Sequence, residues 1–324
     1  MADLSLIQAL NQTFREEMRG NPDVVVLGED VGRLGGLFGA TEGLLEEFGD
    51  HRVLDVPAAD GTIIGTSIGM AMYGMRPVPE LQFADSALSG FDQIVSEMAK
   101  LRYRSAGQYR CPLVLRVPYG AGVGGGIYQS GSPEAYFCHT AGLVVVAPSN
   151  PYDAAGLMRS ALRADDPVVF LEPKSIYRSC RGEVPEEDFV VPLGKARVVR
   201  EGSDLSVFTY GAMVQVVMAA TESAAEAGIQ AEVVDLRTLM PFDVETVLGS
   251  VARTGRALIV SEAAKTCSFA AEIAATLAER TVLHLEAPVL RVSGYDCPVP
   301  YAFENEYLPD HGRVYAAIEQ VANF

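Results

Sequence analysis

Between Leu54 and Asp92 the chain reads LDVPAADGTIIGTSIGMAMYGMRPVPELQFADSALSGFD, and the helical stretch inside it, Ile63 to Tyr73, carries no charged residue. A helix that is polar nowhere has no face to give to water, so it must be buried on most sides, at a domain or subunit interface. It is flanked by two strand-like segments. The first, Val53 to Val56, is ended by Pro57, and the second, Val78 to Phe83, leads into Phe83-Ala84-Asp85-Ser86. One isolated carboxylate, Asp60, stands between the first strand and the helix. Ligand groups in parallel sheets gather at the carboxyl ends of strands, so this stretch reads as the wall of a cofactor pocket.

The same alternation runs along the chain. Ser5 to Arg19 predicts an amphipathic helix with Leu6, Leu10, Phe14 and Met18 on one face, a Ser5/Gln8 capping box and Gly20 as its stop. Val24 to Leu27 is a short, wholly apolar strand of the kind buried on both faces, and it runs into Glu29 and Asp30. Phe91 to Arg104 predicts a helix with Ile94, Met98 and Leu101 inward, and Pro112 to Pro118 another buried strand. Leu143 to Val146, Asp153 to Arg163 and Pro167 to Leu171 continue as strand, helix, strand. Glu183 to Val191 is acidic, contains a proline and has no period, which places a boundary there and divides the chain into 1–190 and 191–324. In the second unit Leu205 to Tyr210, Ala231 to Leu236, Arg256 to Val260 and Val289 to Val292 read as strands, with helices between them and a closing helix near Asp310 to Ala322. The fold class is α/β, two doubly wound domains.

Composition narrows the partners. Lys plus Arg number 25 against 42 Asp plus Glu, a net charge of -17, with no basic cluster to offset it. Nucleic acid and anionic membrane are poor partners for such a surface. The amino terminus is not secretory in pattern and no apolar run is long enough to span a bilayer, so a soluble, cytoplasmic protein is expected. Five scattered cysteines and four dispersed histidines show no metal-ligand or disulfide spacing.

Read from the residues, the groups able to carry chemistry are Glu29, Asp60, Phe83, Asp85, Gln129, Ser130, Glu134 and His139, with the loop Tyr119 to Ser132 (YGAGVGGGIYQSGS) supplying close backbone approach. A carboxylate held among buried elements is either hydrogen-bonded to structure or acting on a ligand. Composition alone favours structure.

Several segments in order, VVVLGEDVG, QFAD…FDQIVSEMAKLRYRSAGQ, SPEAYFCHTAGLVVVAPSNPYDAAGL, PVVFLEPK and DLRTLMPFD, resemble the beta subunit of the decarboxylating component of 2-oxo acid dehydrogenase complexes, of the pyruvate, branched-chain and acetoin type. The resemblance covers essentially the whole chain. It implies a pyrimidine-binding domain (1–190) and a transketolase C-terminal-like domain (191–324). It further implies thiamine diphosphate shared with an alpha subunit, which supplies the diphosphate and Mg2+ contacts, in a heterotetramer of two alpha and two beta chains. In that family a glutamate binds the aminopyrimidine ring and promotes loss of the cofactor's C2 proton; the substrate loses carbon dioxide and the acyl unit passes to a lipoyl-bearing acyltransferase.

Carried over by position, the cofactor-binding residues are Glu29, Asp60, Phe83 and Ser86, and the catalytic ones Asp60, Gln129 and His139. Three of these depart from the family pattern. Asp60 stands where the family has glutamate and falls short by about one C–C bond, a misplacement to which catalytic hydrogen bonds respond strongly. Ser86 stands where an aromatic ring usually stacks on the pyrimidine, an interaction worth about 1 kcal/mol beyond burial. Gln129 replaces a histidine and can donate a hydrogen bond but cannot shuttle a proton. The resemblance also places a backbone potassium (K+) site near Leu143 and in the turn from Ala161 to Asp166.

Three functions fit these departures. The first is a decarboxylating beta subunit with an altered pocket. The second is a transketolase-like enzyme passing a two-carbon unit from a ketose or hydroxyketo donor to an acyl carrier domain. The third is a non-catalytic scaffold that keeps the alpha-pairing surface.

Overall fold

A computed structural model describes residues 1–324. Its first sheet has seven strands, in the order Thr238–Met240, Val144–Val146, Val168–Pro173, Val114–Tyr119, Arg76–Glu80, Val24–Gly28 and Val53–Asp55. All neighbours are parallel except the Thr238–Met240 edge, which runs antiparallel to Val144–Val146. The second sheet has five strands, Leu290–Gly294, Ala257–Ala264, Leu205–Thr209, Ala231–Asp235 and Arg197–Arg200, the last antiparallel.

The strands read as continuous apolar runs because both faces are covered. Val24 and Val26 enter one core and Leu27 the other; in the second sheet Val207 and Phe208 divide in the same way. Each core takes residues from both sheets, so the two units are packed through shared apolar layers.

The first helix runs Leu6–Gly20 and its capping box forms as read: Ser5 Oγ accepts from the Gln8 amide and the Gln8 side chain accepts from the Ser5 amide. The helix read from Ile63 is Asp60–Met72, beginning three residues earlier than its charge-free run, so Asp60 lies in the first turn. There a negative charge is favoured by the exposed amides and the helix dipole. Ile63, Ile64, Ser67, Ile68 and Ala71 are buried, whereas Thr62, Thr66 and Met72 on the other side remain open and Gly69 has no heavy atom within 4 Å of its absent Cβ.

Three readings need correction. The strand expected at Val78 to Phe83 is Arg76–Glu80, and Phe83 lies in the turn beyond it. The single helix expected from Phe91 to Arg104 is broken into a π-helical segment, Gln93–Met98, and a short α-helix, Leu101–Arg104, though Ile94, Met98 and Leu101 are buried as read. Arg181–Val184, which runs into the Glu183 to Val191 segment read as lacking helical or strand periodicity, pairs antiparallel with Ala2–Ser5. The remote partner, not local periodicity, makes that strand. Thr238–Met240, far along the chain, completes the edge of the first sheet.

Candidate active site

Four parallel strands of the first sheet end on one edge, and the residues singled out from the sequence follow those ends. Gly28 pairs with Asp55, so half-buried Glu29 and the turn leading to Asp60 emerge side by side. Gly28 also pairs with Glu80, after which the chain reaches Phe83 to Ser86, and Tyr119 ends the neighbouring strand where the glycine loop starts.

Asp60, Ser86 and Phe83 form one hydrogen-bonded unit. The Ser89 hydroxyl lies 3.1 Å from Asp60 Oδ2 and 2.9 Å from the Ser86 carbonyl, and Ser86 Oγ donates to the Phe83 carbonyl at 2.8 Å. Asp60 lines a cleft of about 360 Å³ with Thr62, Ser89, Asp92 and Gln93, and Ala59 is its one apolar wall residue. Gly61 packs against this turn with its Cβ position 3.6 Å from the Ser89 carbonyl.

The glycine loop is tied at its base by the Gly120 amide to the Gly131 carbonyl, 3.0 Å. Carboxylates hold the rest. Asp85 accepts from the Gly131 amide at 2.9 Å, Glu262 from the Ala121 amide at 3.1 Å, and Glu304 from both the Gly124 amide at 2.8 Å and the Ser130 hydroxyl at 3.2 Å. Lys174 Nζ donates to the Gln129 carbonyl at 2.8 Å and lies 5.7 Å from the centre of the Phe83 ring, linking loop and turn. The Gln129 side chain itself is exposed. Glycine is required at Gly120 because φ is +87° and a Cβ would come within 2.7 Å of the Glu262 carboxylate.

Behind the loop lies a buried acidic layer. Burial pushes the carboxyls of Glu134 and Glu262 up to about 7; hydrogen bonds from Tyr210 and from the Ala121 amide, respectively, oppose the shift only in part. Burial drives Lys174 down to about 8 against the pull of Glu262, Asp85 and Glu304. Tyr210 donates to Glu134 Oε1 at 2.6 Å, while Glu134 Oε2 and Tyr119 Oη are buried without a partner. Displaced titrations and unmatched polar atoms of this kind gather at working sites. Glu262, Glu304 and Lys174 were not singled out in the sequence; Glu262 and Lys174 show only as charged residues in largely apolar runs, ALIVSEAA and VVFLEPK, and Glu304, in YAFENEYLPD, gives no signal.

His139 is set apart. It is exposed at the end of the Glu134–Cys138 helix and lines a cleft of about 490 Å³ with Cys138, Phe242, Cys267, Phe269 and Glu272, a lining that includes neither Asp60 nor Gln129. Near Leu143 the Asp166 carboxylate is bound by Arg102 at 2.7 Å, and the carbonyls of Leu162 and Ala164, between Ala161 and Asp166, accept from Arg76 at 2.9 and 2.7 Å.

Comparison with known proteins fits this arrangement. Residues 2–179 match the transketolase pyrimidine binding domain and 194–314 the transketolase C-terminal domain. The chain is 48% identical over 327 residues to the 2-oxoisovalerate dehydrogenase subunit beta of Bacillus subtilis (strain 168), covering all of both chains. It is 46% identical over 325 residues to the pyruvate dehydrogenase E1 component subunit beta of the same organism, again covering all of both. A solved split-gene transketolase, an inactive beta4 tetramer, superposes with a TM-score of 0.81 at 21% identity, covering 99% of each chain. The fold and the strand-end site thus define a transketolase-like protein. Within that class the chain belongs to the beta subunits of the 2-oxo acid dehydrogenases.

Proposed function

We propose that the chain is the beta half of a thiamine-diphosphate-dependent 2-oxo acid dehydrogenase, with residues 1–190 facing the aminopyrimidine and the catalytic centre completed by an alpha subunit. The observation that carries this reading is Asp60, a carboxylate in the first turn of a helix, tied to Ser89 alone among side chains and opening on a polar cleft. A ring nitrogen fits such a group, which has lone pairs to spare. The open side of the Asp60–Met72 helix, with its exposed Met72 and Tyr73, supports pairing with another subunit.

When bound, thiamine diphosphate supplies a nucleophilic carbon and a sink for the electron pair released as carbon dioxide leaves. This chain's residues then have separate tasks. Asp60 holds a proton at the ring, Ser89 fixes the carboxylate's direction, and Phe83 gives the ring an apolar contact. Gln129, exposed on the glycine loop, donates to substrate oxygen without taking a proton. Mg2+ and the diphosphate fall to the alpha subunit, and the acyl unit to a lipoyl-bearing acyltransferase or acyl carrier domain.

The transketolase-like alternative is favoured by one observation: the cleft at Asp60 is lined by hydroxyl, amide and carboxylate groups with no positive charge. Such a wall suits a polyhydroxylated donor better than a second carboxylate. Co-expression with the alpha subunit and assay of carbon dioxide release from pyruvate, branched 2-oxo acids and hydroxypyruvate, beside cleavage of ketose phosphates, separates the readings. Carbon dioxide from pyruvate or a branched 2-oxo acid supports the main one, turnover of hydroxypyruvate or ketose phosphates alone the second, and an assembled complex that turns over nothing overturns both.

A further inference from the structure

The glycine loop belongs to the first domain by sequence, yet two of the three carboxylates that hold its amides come from the second. Glu262 lies in the strand Ala257–Ala264 and Glu304 in the short helix Glu304–Tyr307. Glu304 is 8% exposed and uses both oxygens on the loop, Oε2 on the Gly124 amide and Oε1 on the Ser130 hydroxyl, on either side of the exposed segment Ile127 to Gln129. Tyr301, three residues before Glu304, packs 3.2 Å from the Cβ position of Gly126, so a side chain there would displace the ring.

The base of the loop is held separately, by the Gly120 to Gly131 pair and by Asp85. Asp85 and the base pair fix where the loop leaves the sheet; at the tip, Lys174 of the first domain holds the Gln129 carbonyl, and Glu304 of the second clamps the residues on either side of it. Amide-to-carboxylate bonds are charge-assisted and about twice as strong as neutral ones, so one glutamate bridging two loop positions is an effective clamp.

We propose that Glu304 is a positioning residue of the active site: by bridging Gly124 and Ser130 it lets the second domain set where Gln129 stands. The inference rests on the reading of Gln129 as a group of that site, and it makes the second domain a participant in substrate placement through contacts that touch no substrate.

The test uses the assembled alpha–beta complex with Glu304→Ala, Glu304→Gln, Gln129→Ala and the Glu304→Ala/Gln129→Ala double variant. Hydrogen exchange at Gly124 is expected to accelerate ~10-fold or more in Glu304→Ala, with Gly131 unchanged and an intermediate effect in Glu304→Gln, which keeps one acceptor. Turnover is expected to fall through kcat in Glu304→Ala, and the double variant to be no slower than Gln129→Ala alone, because a residue acting through Gln129 has nothing left to act on. Unchanged exchange at Gly124 in both Glu304 variants overturns the inference, as does a fully additive double variant. If the wild-type complex turns over no substrate, the functional reading fails, while faster Gly124 exchange still establishes the clamp and unchanged exchange still removes it.

Discussion

Two buried carboxylate clusters sit behind neighbouring strand ends of this chain, and they are built on opposite principles. In the first, Arg116 lies at 0% exposure between Glu80 and Glu172. It donates through Nε and Nη2 to Glu172 at 2.7 and 2.8 Å and through Nη1 to Glu80, whose other oxygen accepts from the Leu37 amide. Tyr177 adds a donor to Glu172, and the guanidinium lies 5.0 Å from the centre of the Phe14 ring. Every carboxylate oxygen there has a donor. In the second cluster, behind the glycine loop, Glu134 and Glu262 have no arginine, Lys174 is spent on a backbone carbonyl, and Glu134 Oε2 and Tyr119 Oη are unmatched. The first cluster is a fixed charge network that shapes the sheet. In the second, burial leaves Glu134 and Glu262 titrating near neutral pH with one carboxylate oxygen unmatched, a combination that gathers at working sites.

The largest effect is expected from removing the cation of the first cluster. Arg116→Met leaves two buried carboxylates facing each other and should cost about 3–5 kcal/mol, read as loss of urea midpoint at pH 7. A cost under about 1 kcal/mol would mean that the cluster is not the fixed network described.

The second cluster predicts a pH dependence instead. Burial raises Glu134 and Glu262 to about 7, so between the ordinary carboxylate range and about pH 7 the folded chain binds more protons than the unfolded one. Their contribution is therefore complete in acid and lost as pH rises through that window. Glu134→Gln should flatten the dependence of the unfolding free energy between pH 5 and 8 by up to ~3 kcal/mol. An equal slope in variant and wild type would place the titration elsewhere.

The smallest effects come from single hydroxyls. Tyr177→Phe, which strips a donor from the Arg116-paired Glu172, should cost ~2 kcal/mol. Tyr210→Phe should cost ~1 kcal/mol at pH 8 and less at pH 5, where Glu134 is already neutral. Equal costs at both pH values would erase the contrast between the clusters.

Local patterns made much of the frame legible. The Ser5/Gln8 capping box, the apolar strand at Val24 and the charge-free helix after Asp60 each declare themselves within a few residues. What stayed hidden depends on remote partners. Arg181–Val184 is a strand only because Ala2–Ser5 lies against it, and Thr238–Met240 only because Val144–Val146 offers an edge. The site divides in the same way. Asp60, Phe83, Ser86 and Gln129 were named as candidates from motif and position, whereas Glu262, Glu304 and Lys174 carry no such motif, and their contacts to the glycine loop appear only once the chain is folded.

The central claim is that Asp60 is the proton-holding group of a thiamine site shared with an alpha subunit. Carbon dioxide release by the co-expressed complex, compared between wild type and Asp60→Asn at matched assembly, tests it most directly. The account predicts release from at least one 2-oxo acid by the wild type and a loss of ~10²-fold or more in the variant. An Asp60→Asn complex that releases carbon dioxide at the wild-type rate would contradict it.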